Sequence, residues 1–311
     1  MKSLEEFSGN IFLTGGTGFV GKSILDLKKR NFLSNIKLTI LSRSPDLFIA
    51  SNPELASIPS IKFVTGDVRN FTFPNQKFDY IFHAAAPAME MPPGVERDII
   101  INGTKRILRF AEHCQAKRIL FLSSGAVYGP ESQKLDRIPE CFPCNPVTEY
   151  GIAKYEAEQL CLSSSQECVI ARGFAFTGPH LNRNIHFAIG NFIRDCLNGL
   201  PINIKGDGTP FRSYLYADDM VEWFFSLLFK GKCGTAYNVG SDEALSIAEL
   251  AKKIRALLNP ALPIIVNQKE SPGADIHKYI PDISKARQEL GLQIRYNLSE
   301  AILKSATESK I

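Results

Sequence analysis

Short apolar and β-branched runs alternate with helical stretches through the first half of the chain. Such alternation is typical of βαβ units that build a parallel sheet. The apolar positions recur at helical spacing over 21–30, 98–113 and 149–162. The pattern predicts a doubly wound α/β sheet, with strands at 11–14, 37–41, 62–65, 80–84, 118–123 and 167–171.

The regular alternation ends after Gly178 and Pro179. Glycine and proline interrupt 199–201 and 206–210, which indicates loops and short elements. A strand-like run at 236–240 is predicted to return to the main sheet. We therefore expect a dinucleotide-type domain and a smaller C-terminal substrate lobe. The predicted boundaries are 1–176 with about 219–240 for the first, and 177–218 with 241–311 for the second.

The composition mainly argues against classes of partner, namely nucleic acids and membranes. The 311 residues are 44% hydrophobic and 22% charged, an ordinary globular balance. A net charge of +4 without a basic tract predicts no nucleic-acid partner. No apolar run approaches the roughly 18 residues of a membrane span, and the first ten residues lack a signal-like apolar core. We expect a cytoplasmic protein without a membrane partner.

Seven cysteines are present, an odd number, and no secretory signal accompanies them. Free thiols are therefore expected. Cys141 and Cys144 have the spacing of a metal knuckle, but a zinc site needs four ligands and no second pair completes it. We predict a proline-rich surface loop there and no metal.

A glycine-rich turn follows the first predicted strand. Gly16, Gly18 and Gly21 match the dinucleotide-binding spacing G-x-G-x-x-G, and a predicted helix begins directly afterwards. Glycines allow close approach of the backbone to a pyrophosphate, and a helix N-terminus offers unpaired N–H groups. The alternative is a tight strand-to-helix turn without a ligand. Its position favours a Rossmann-type NAD(P) site.

Three further segments bear on the dinucleotide. Where NAD-binding chains carry an acidic residue for the ribose, this chain has Arg43, which favours the 2′-phosphate of NADP. A solvated surface arginine is the alternative. Asp67 is predicted either to accept a hydrogen bond from the adenine amino group or to cap a turn. His83, before the small residues 84–86, is interpreted as a packed histidine rather than a catalyst.

A candidate proton-transfer group lies further along the chain. Tyr150 and Lys154 are four residues apart and share one helix face, and Ser124 ends the fifth predicted strand. An ammonium about 4 Å from a phenolate stabilises the phenolate by about 4 kcal/mol at an effective dielectric near 20. We therefore expect the pKa of Tyr150 to move toward neutrality, where proton transfer is efficient.

Over essentially its whole length the chain resembles the extended short-chain dehydrogenases/reductases of the NAD-dependent epimerase/dehydratase family, nucleotide-sugar branch. The supporting segments are 14–21, 66–68, 83–86, 102–104, 123–129, 150–154, 172–179, 212–219, 237–240 and 281–287. The resemblance implies a Rossmann domain, a nucleotide-diphosphate sugar substrate and a homodimer formed through two helices per subunit.

The resemblance also implies roles for individual residues. Ser124, Tyr150 and Lys154 become catalytic, with Ser124 also touching substrate, and Arg212 becomes the partner of the substrate diphosphate; a loop salt bridge is the alternative for Arg212. The predicted cofactor-binding residues are Gly15, Gly16, Thr17, Gly18, Phe19, Val20, Arg43, Asp67, Val68, Ala84, Ala85, Ala86, Tyr150 and Lys154.

Departures from the family pattern narrow the chemistry. The 4,6-dehydratases carry an Asp-Glu pair after the catalytic hydroxyl, whereas this chain has Gly125 and Ala126, which cannot transfer protons. A family asparagine that contacts the nucleotide sugar is replaced by Ala175. These changes disfavour a 4,6-dehydratase and leave the identity of the sugar open.

Three functions are weighed. The first is a 4-ketoreductase, in which NADPH gives hydride to C4 of a nucleotide-linked sugar and Tyr150 gives the proton. The second is a 4-epimerase, in which Tyr150 removes the C4 hydroxyl proton and the hydride later returns. The third is a sensor of NADP(H) without turnover, against which the presence of Ser124, Tyr150 and Lys154 argues. Arg43 favours the reductase. A reductase must exchange its dinucleotide after each turnover, as NADPH does, whereas an epimerase keeps its dinucleotide bound.

Overall fold

The computed structural model describes residues 4–87, 91–130, 135–185, 187–269 and 277–307. Its central feature is a seven-stranded parallel sheet with strand order β3-β2-β1-β4-β5-β6-β11. The reversal beside β1 is that of the Rossmann fold, so the predicted fold class is confirmed. The strands are β1 (Gly9–Thr14), β2 (Ile36–Ser42), β3 (Ile61–Thr65), β4 (Tyr80–His83), β5 (Arg118–Ser124), β6 (Cys168–Gly173) and β11 (Thr235–Val239).

Helices cover both faces of this sheet. On one face α1 and α7 pack in a core with Leu13, Phe82 and Trp223, and on the other face α4 and α5 pack around Phe12, Phe110 and Ile170. The helices are α1 (Phe19–Lys29), α2 (Pro45–Ser51), α3 (Pro53–Ala56), α4 (Val95–Cys114), α5 (Glu149–Leu162), α6 (Ala188–Leu197), α7 (Ala217–Lys230), α8 (Ile247–Leu258), α9 (Ser284–Leu290) and α10 (Leu298–Thr307).

Short strands form three small sheets outside the main one. One pairs β7 (Phe176–Thr177) with β10 (Leu215–Tyr216), and a second pairs β8 (Ile202–Ile204) with β13 (Ile264–Val266). The third places β9 (Phe211–Arg212) between β12 (Leu245–Ser246) and β14 (Lys278–Tyr279). Helices α6, α8 and α10 share a separate core there. The irregular C-terminal region is thus as predicted, and the exact domain boundaries stay a prediction.

The observed elements differ slightly from the predicted ones. Helix α4 begins three residues before the predicted residue 98, and β6 runs two residues beyond the predicted end. Because of that extension, Arg172 and Gly173 lie in a strand beside Ser123 and Ser124 of β5. The predicted strand at 236–240 does join the main sheet, as β11 beside β6.

Candidate functional site

The turn between β1 and α1 requires glycine by its geometry. Gly15 has φ +73°, and a Cβ atom there would lie 2.6 Å from the Ala84 carbonyl oxygen. A Cβ at Gly16 would lie 2.5 Å from the Ile40 side chain, and one at Gly21 would meet the Gly16 backbone. The N-cap of α1 has no side-chain hydrogen bond. The turn therefore leaves helix N–H groups unblocked by a side chain, as a pyrophosphate site needs.

The segment after β4 passes close to this turn. Ala84 N donates to Thr14 O at 3.3 Å, and Ala85 N donates to Thr14 Oγ1 at 3.1 Å. His83 lies buried between the hydroxyls of Thr14 (2.8 Å) and Thr104 (3.2 Å), and burial lowers its pKa to about 3. The interpretation of His83 as a packed histidine is confirmed. The small residues 84–86 let the chain approach the turn.

Asp67, on the predicted adenosine side, accepts hydrogen bonds from Arg69 of its own turn. Arg69 donates to its carboxylate from Nε at 2.8 Å and Nη2 at 2.9 Å, and these bonds lower the pKa of Asp67. The backbone N–H of Arg69 also donates to it, so the turn-stabilising alternative is present. Arg43 is exposed just after β2 and also lowers the pKa of Asp67. Buried Val68 packs against α4 at Gly103.

The three predicted catalytic residues come together where β5 ends and α5 begins. Ser124 is the last residue of β5, and its Oγ accepts from Ala126 N at 3.2 Å. The Ser124 side chain interacts with the Tyr150 hydroxyl and lowers the pKa of Tyr150. Lys154 is 2% exposed, and its Nζ donates to Leu122 O at 2.7 Å and lies 5.7 Å from the Tyr150 ring centroid.

The predicted acidity of Tyr150 is wrong for this arrangement. Burial raises the pKa of Tyr150 to about 12, and the Ser124 side chain only partly opposes it. Burial also lowers the pKa of Lys154 to about 8. The reason is that desolvation penalises both charged forms, and the Lys154 ammonium is directed at a backbone carbonyl. At neutral pH the pair is a phenol that can donate a proton, beside an ammonium.

The structure adds three residues that sequence reasoning missed. Glu96, at the start of α4, raises the pKa of both Tyr150 and Lys154, and burial raises its own. Glu158 and Arg172 form a buried ion pair behind Lys154. The four-residue spacing from Lys154 could have revealed Glu158. No local pattern indicates Glu96, because it comes from a different helix.

Arg212 approaches the same end of β5 through an aromatic cluster. Its guanidinium lies 5.6 Å from the ring centroid of Tyr279, which packs 4.6 Å from that of Phe174. A Cβ at Gly125 would lie 2.5 Å from the Tyr279 hydroxyl oxygen. Tyr279 therefore occupies the space that an acidic side chain at position 125 would need. The diphosphate role of Arg212 stays a prediction.

Within the described residues, no group of three or more His, Cys, Asp or Glu side chains is placed to hold a metal ion. All seven cysteines are free thiols. No helix among those residues combines the length and apolarity needed to cross a membrane.

Residues 11–240 match the model of the NAD-dependent epimerase/dehydratase family, which is about three quarters of the chain. The chain belongs to that family. The relatives and structural neighbours of the chain are enzymes, which argues against the sensor hypothesis. The glycine turn and the Ala84–Ala86 backbone fit the dinucleotide that the family name implies.

The chain is similar to known nucleotide-sugar enzymes over most of its length. The chain is 27% identical to UDP-glucuronic acid decarboxylase 1 of Arabidopsis thaliana, over 94% of this chain and 68% of that one. It is 27% identical to dTDP-D-glucose 4,6-dehydratase of Homo sapiens, over 81% of this chain and 75% of that one.

Solved structures share the fold. UDP-glucuronic acid 4-epimerase from Bacillus cereus, in complex with UDP-glucuronic acid and NAD, superposes with a TM-score of 0.82 at 23% identity. The match covers 97% of this chain and 99% of that one. UDP-glucose 4-epimerase from Thermotoga maritima, solved with UDP-glucose, gives 0.79 at 23% identity, covering 96% and 97%.

Proposed function

We propose that the protein transfers hydride between a nicotinamide dinucleotide and C4 of a nucleotide-linked sugar. The observation that carries this proposal is the meeting of Ser124, Tyr150 and Lys154 at the end of β5. The glycine turn after β1 lies at the same carboxyl edge of the sheet, where ligands bind in folds of this type. The candidate dinucleotide site and the candidate proton-transfer residues therefore lie along the same edge of the sheet.

The roles follow from the protonation states. Tyr150, with its pKa raised to about 12, stays a neutral phenol at neutral pH and can donate a proton to a C4 carbonyl oxygen. Ser124 can hydrogen-bond the same oxygen. The Lys154 ammonium stabilises the phenolate that proton donation leaves. The dinucleotide, when bound, supplies or accepts the hydride.

A 4-ketoreductase is the form we favour. A neutral phenol is ready to donate, and the exposed guanidinium of Arg43 is suited to the 2′-phosphate of NADPH. The second candidate is a 4-epimerase, which needs the same Ser124, Tyr150 and Lys154 and agrees with the family description. Elimination of water from the sugar is disfavoured, because Gly125 and Ala126 offer no acid or base.

The test is a substrate panel followed by nicotinamide absorbance and mass spectrometry. It includes UDP-glucose, UDP-glucuronic acid and dTDP-glucose, which the names of relatives suggest, and their 4-keto derivatives. Net NADPH consumption with a 4-keto sugar supports the reductase. Isomerisation without net consumption supports the epimerase. Release of carbon dioxide from UDP-glucuronic acid, or no conversion of any compound, would reject both.

We further propose a homodimer that forms through α4 and α5. These helices pack side by side, and the groove on their outer surface is lined by Arg97, Ile101, Lys105, Tyr155 and Gln159. Light scattering should then give twice the 34.5 kDa of one chain, and Tyr155→Glu should lower it to one chain with little loss of secondary structure. A single-chain mass for the unaltered protein would contradict this.

A further inference from the structure

A buried ionic group lies directly behind the candidate catalytic residues. Glu158 of α5 is 0% exposed. Its Oε2 accepts from Arg172 Nη2 at 2.7 Å, and its Oε1 accepts from Arg172 Nε at 3.0 Å. The hydroxyl of Ser123 also donates to Glu158 Oε1. Arg172 belongs to β6 and Ser123 to β5, so one carboxylate joins three elements.

Side chains of α5 meet the end of β5. Its last three residues each interact with a different side chain of α5. Leu122 O accepts from Lys154, Ser123 donates to Glu158, and the Ser124 side chain lowers the pKa of Tyr150. The ionic group therefore attaches α5 to the strand that ends in Ser124, beside the hydrogen bond of Lys154.

Stability alone gives weak grounds for such a group. A buried ion pair commonly gains nothing over apolar residues of the same volume, because desolvation offsets the attraction. Removing one partner is strongly destabilising, because the other charge stays buried. Lys154 lies one turn before Glu158 on the same helix face, so the carboxylate charge acts on Lys154 across a poorly solvated space.

We propose that Glu158 is a positioning residue that holds the Lys154 ammonium in place, while Ser123 and Arg172 fix the Glu158 carboxylate. The inference rests on the proposed role of Lys154 beside Tyr150. It adds a residue that acts through Lys154 and touches neither sugar nor dinucleotide.

The charges around Lys154 support this role. Burial lowers the pKa of Lys154 to about 8, and Glu158 is the largest influence in the opposite direction. Removing the carboxylate must lower the pKa of Lys154 further. The titratable and charged groups that face this region come from β4, α4, α5 and β6, namely His83, Glu96, Tyr150, Glu158, Cys161 and Arg172.

The test compares Glu158→Gln with the unaltered enzyme. A fall of the Lys154 pKa from about 8 to about 7 would reduce the ammonium fraction about eightfold at about pH 8.5, and by about a tenth at about pH 6. We expect kcat to follow that pattern while KM for substrate and cofactor changes little. A matched control is Glu167→Gln, which removes an exposed carboxylate from another arginine pair, with Arg118 at 3.6 Å. It should leave the pH profile unchanged.

A second readout separates this inference from the proposed function. The Lys154 side chain is titrated by ¹³C NMR, with Lys154→Arg assigning the signal, and this needs no substrate. We expect the Lys154 pKa to fall by about one unit in Glu158→Gln. If no nucleotide sugar is turned over but the titration shifts, the reaction assignment fails and the coupling stands.

Glu158→Gln leaves Arg172 buried without its charged partner, and this can unfold the variant. The double variant Glu158→Gln with Arg172→Gln leaves no uncompensated charge, and we expect it to keep a smaller downward shift of the Lys154 pKa. Ser123→Ala, which removes only the hydroxyl contact, should lower kcat less than Glu158→Gln. An unchanged Lys154 titration and an unchanged pH profile in a folded Glu158 variant would overturn the proposal.

Discussion

At the scale of single residues, desolvation decides the chemistry of Tyr150. From the Tyr150–Lys154 spacing alone, the Lys154 ammonium is expected to lower the pKa of Tyr150. In the folded chain Lys154 is buried and Tyr150 is half-buried, so desolvation keeps the phenol protonated and the lysine loses part of its basicity. Burial of this kind depends on α4 and β5, which lie far away in sequence. It could not be predicted from the helix pattern alone.

Tyr150→Phe tests the proton transfer. The variant keeps the ring and its packing and loses the hydroxyl, so turnover should fall by about 10³-fold while cofactor affinity stays within about twofold. Steady-state rates and a fluorescence titration with NAD(P)H measure the two quantities. Retained turnover would remove the tyrosine from the mechanism.

Arg43→Ala tests the NADP preference. Loss of charge-assisted hydrogen bonds to a 2′-phosphate should weaken NADPH binding by about 10- to 100-fold and leave NADH binding nearly unchanged. Fluorescence titrations with both dinucleotides provide the measurement, and Arg43→Lys serves as the charge-preserving control. If the unaltered protein binds NADH as well as NADPH, the Arg43 argument is wrong.

At the scale of elements, local signals predicted more. The helix over 149–162 appears with the predicted limits, because Thr148 caps it with a hydrogen bond to Gly151 N. The turn after β1 was likewise evident from its glycines. The approach of Tyr279 to Gly125 was not, because β14 and β5 are far apart in sequence and no periodicity links them.

Gly15→Ala tests the turn. The residue has φ +73°, and the added Cβ would meet the Ala84 backbone, so we expect destabilisation by about 1–3 kcal/mol and loss of dinucleotide affinity. Gly234→Ala is a matched control, since its φ is +71° and a Cβ there meets nothing within 4 Å. Its stability loss should be smaller and its dinucleotide affinity unchanged. Equal behaviour of the two variants would contradict the close-approach argument.

At the scale of the whole molecule, the site draws on both the main sheet and the small C-terminal sheets. β9 carries Arg212 and pairs with β14, whose Tyr279 reaches Gly125 beside Ser124. The predicted lobe thus contributes to the end of β5. The end of the regular alternation after Pro179 and the glycine and proline interruptions predicted such a division. The contacts that join the parts depend on packing that only the structure provides.

Arg212→Ala tests the contribution of the lobe. Loss of the guanidinium should raise KM for the nucleotide sugar about tenfold or more, because hydrogen bonds to a charged group contribute about 1.5–3 kcal/mol. Cofactor affinity should change less. Arg212→Lys should show an intermediate KM, and an unchanged KM in the alanine variant would reject the diphosphate role.

The most direct measurement follows one hydrogen atom. NADPH carrying deuterium at both hydrogens of nicotinamide C4 is mixed with the 4-keto nucleotide sugar, and the label is located by mass spectrometry and NMR. Our account predicts that one deuterium appears at C4 of the reduced sugar. A reduced sugar without deuterium at C4, or deuterium found at another carbon of the sugar, would contradict hydride transfer at C4.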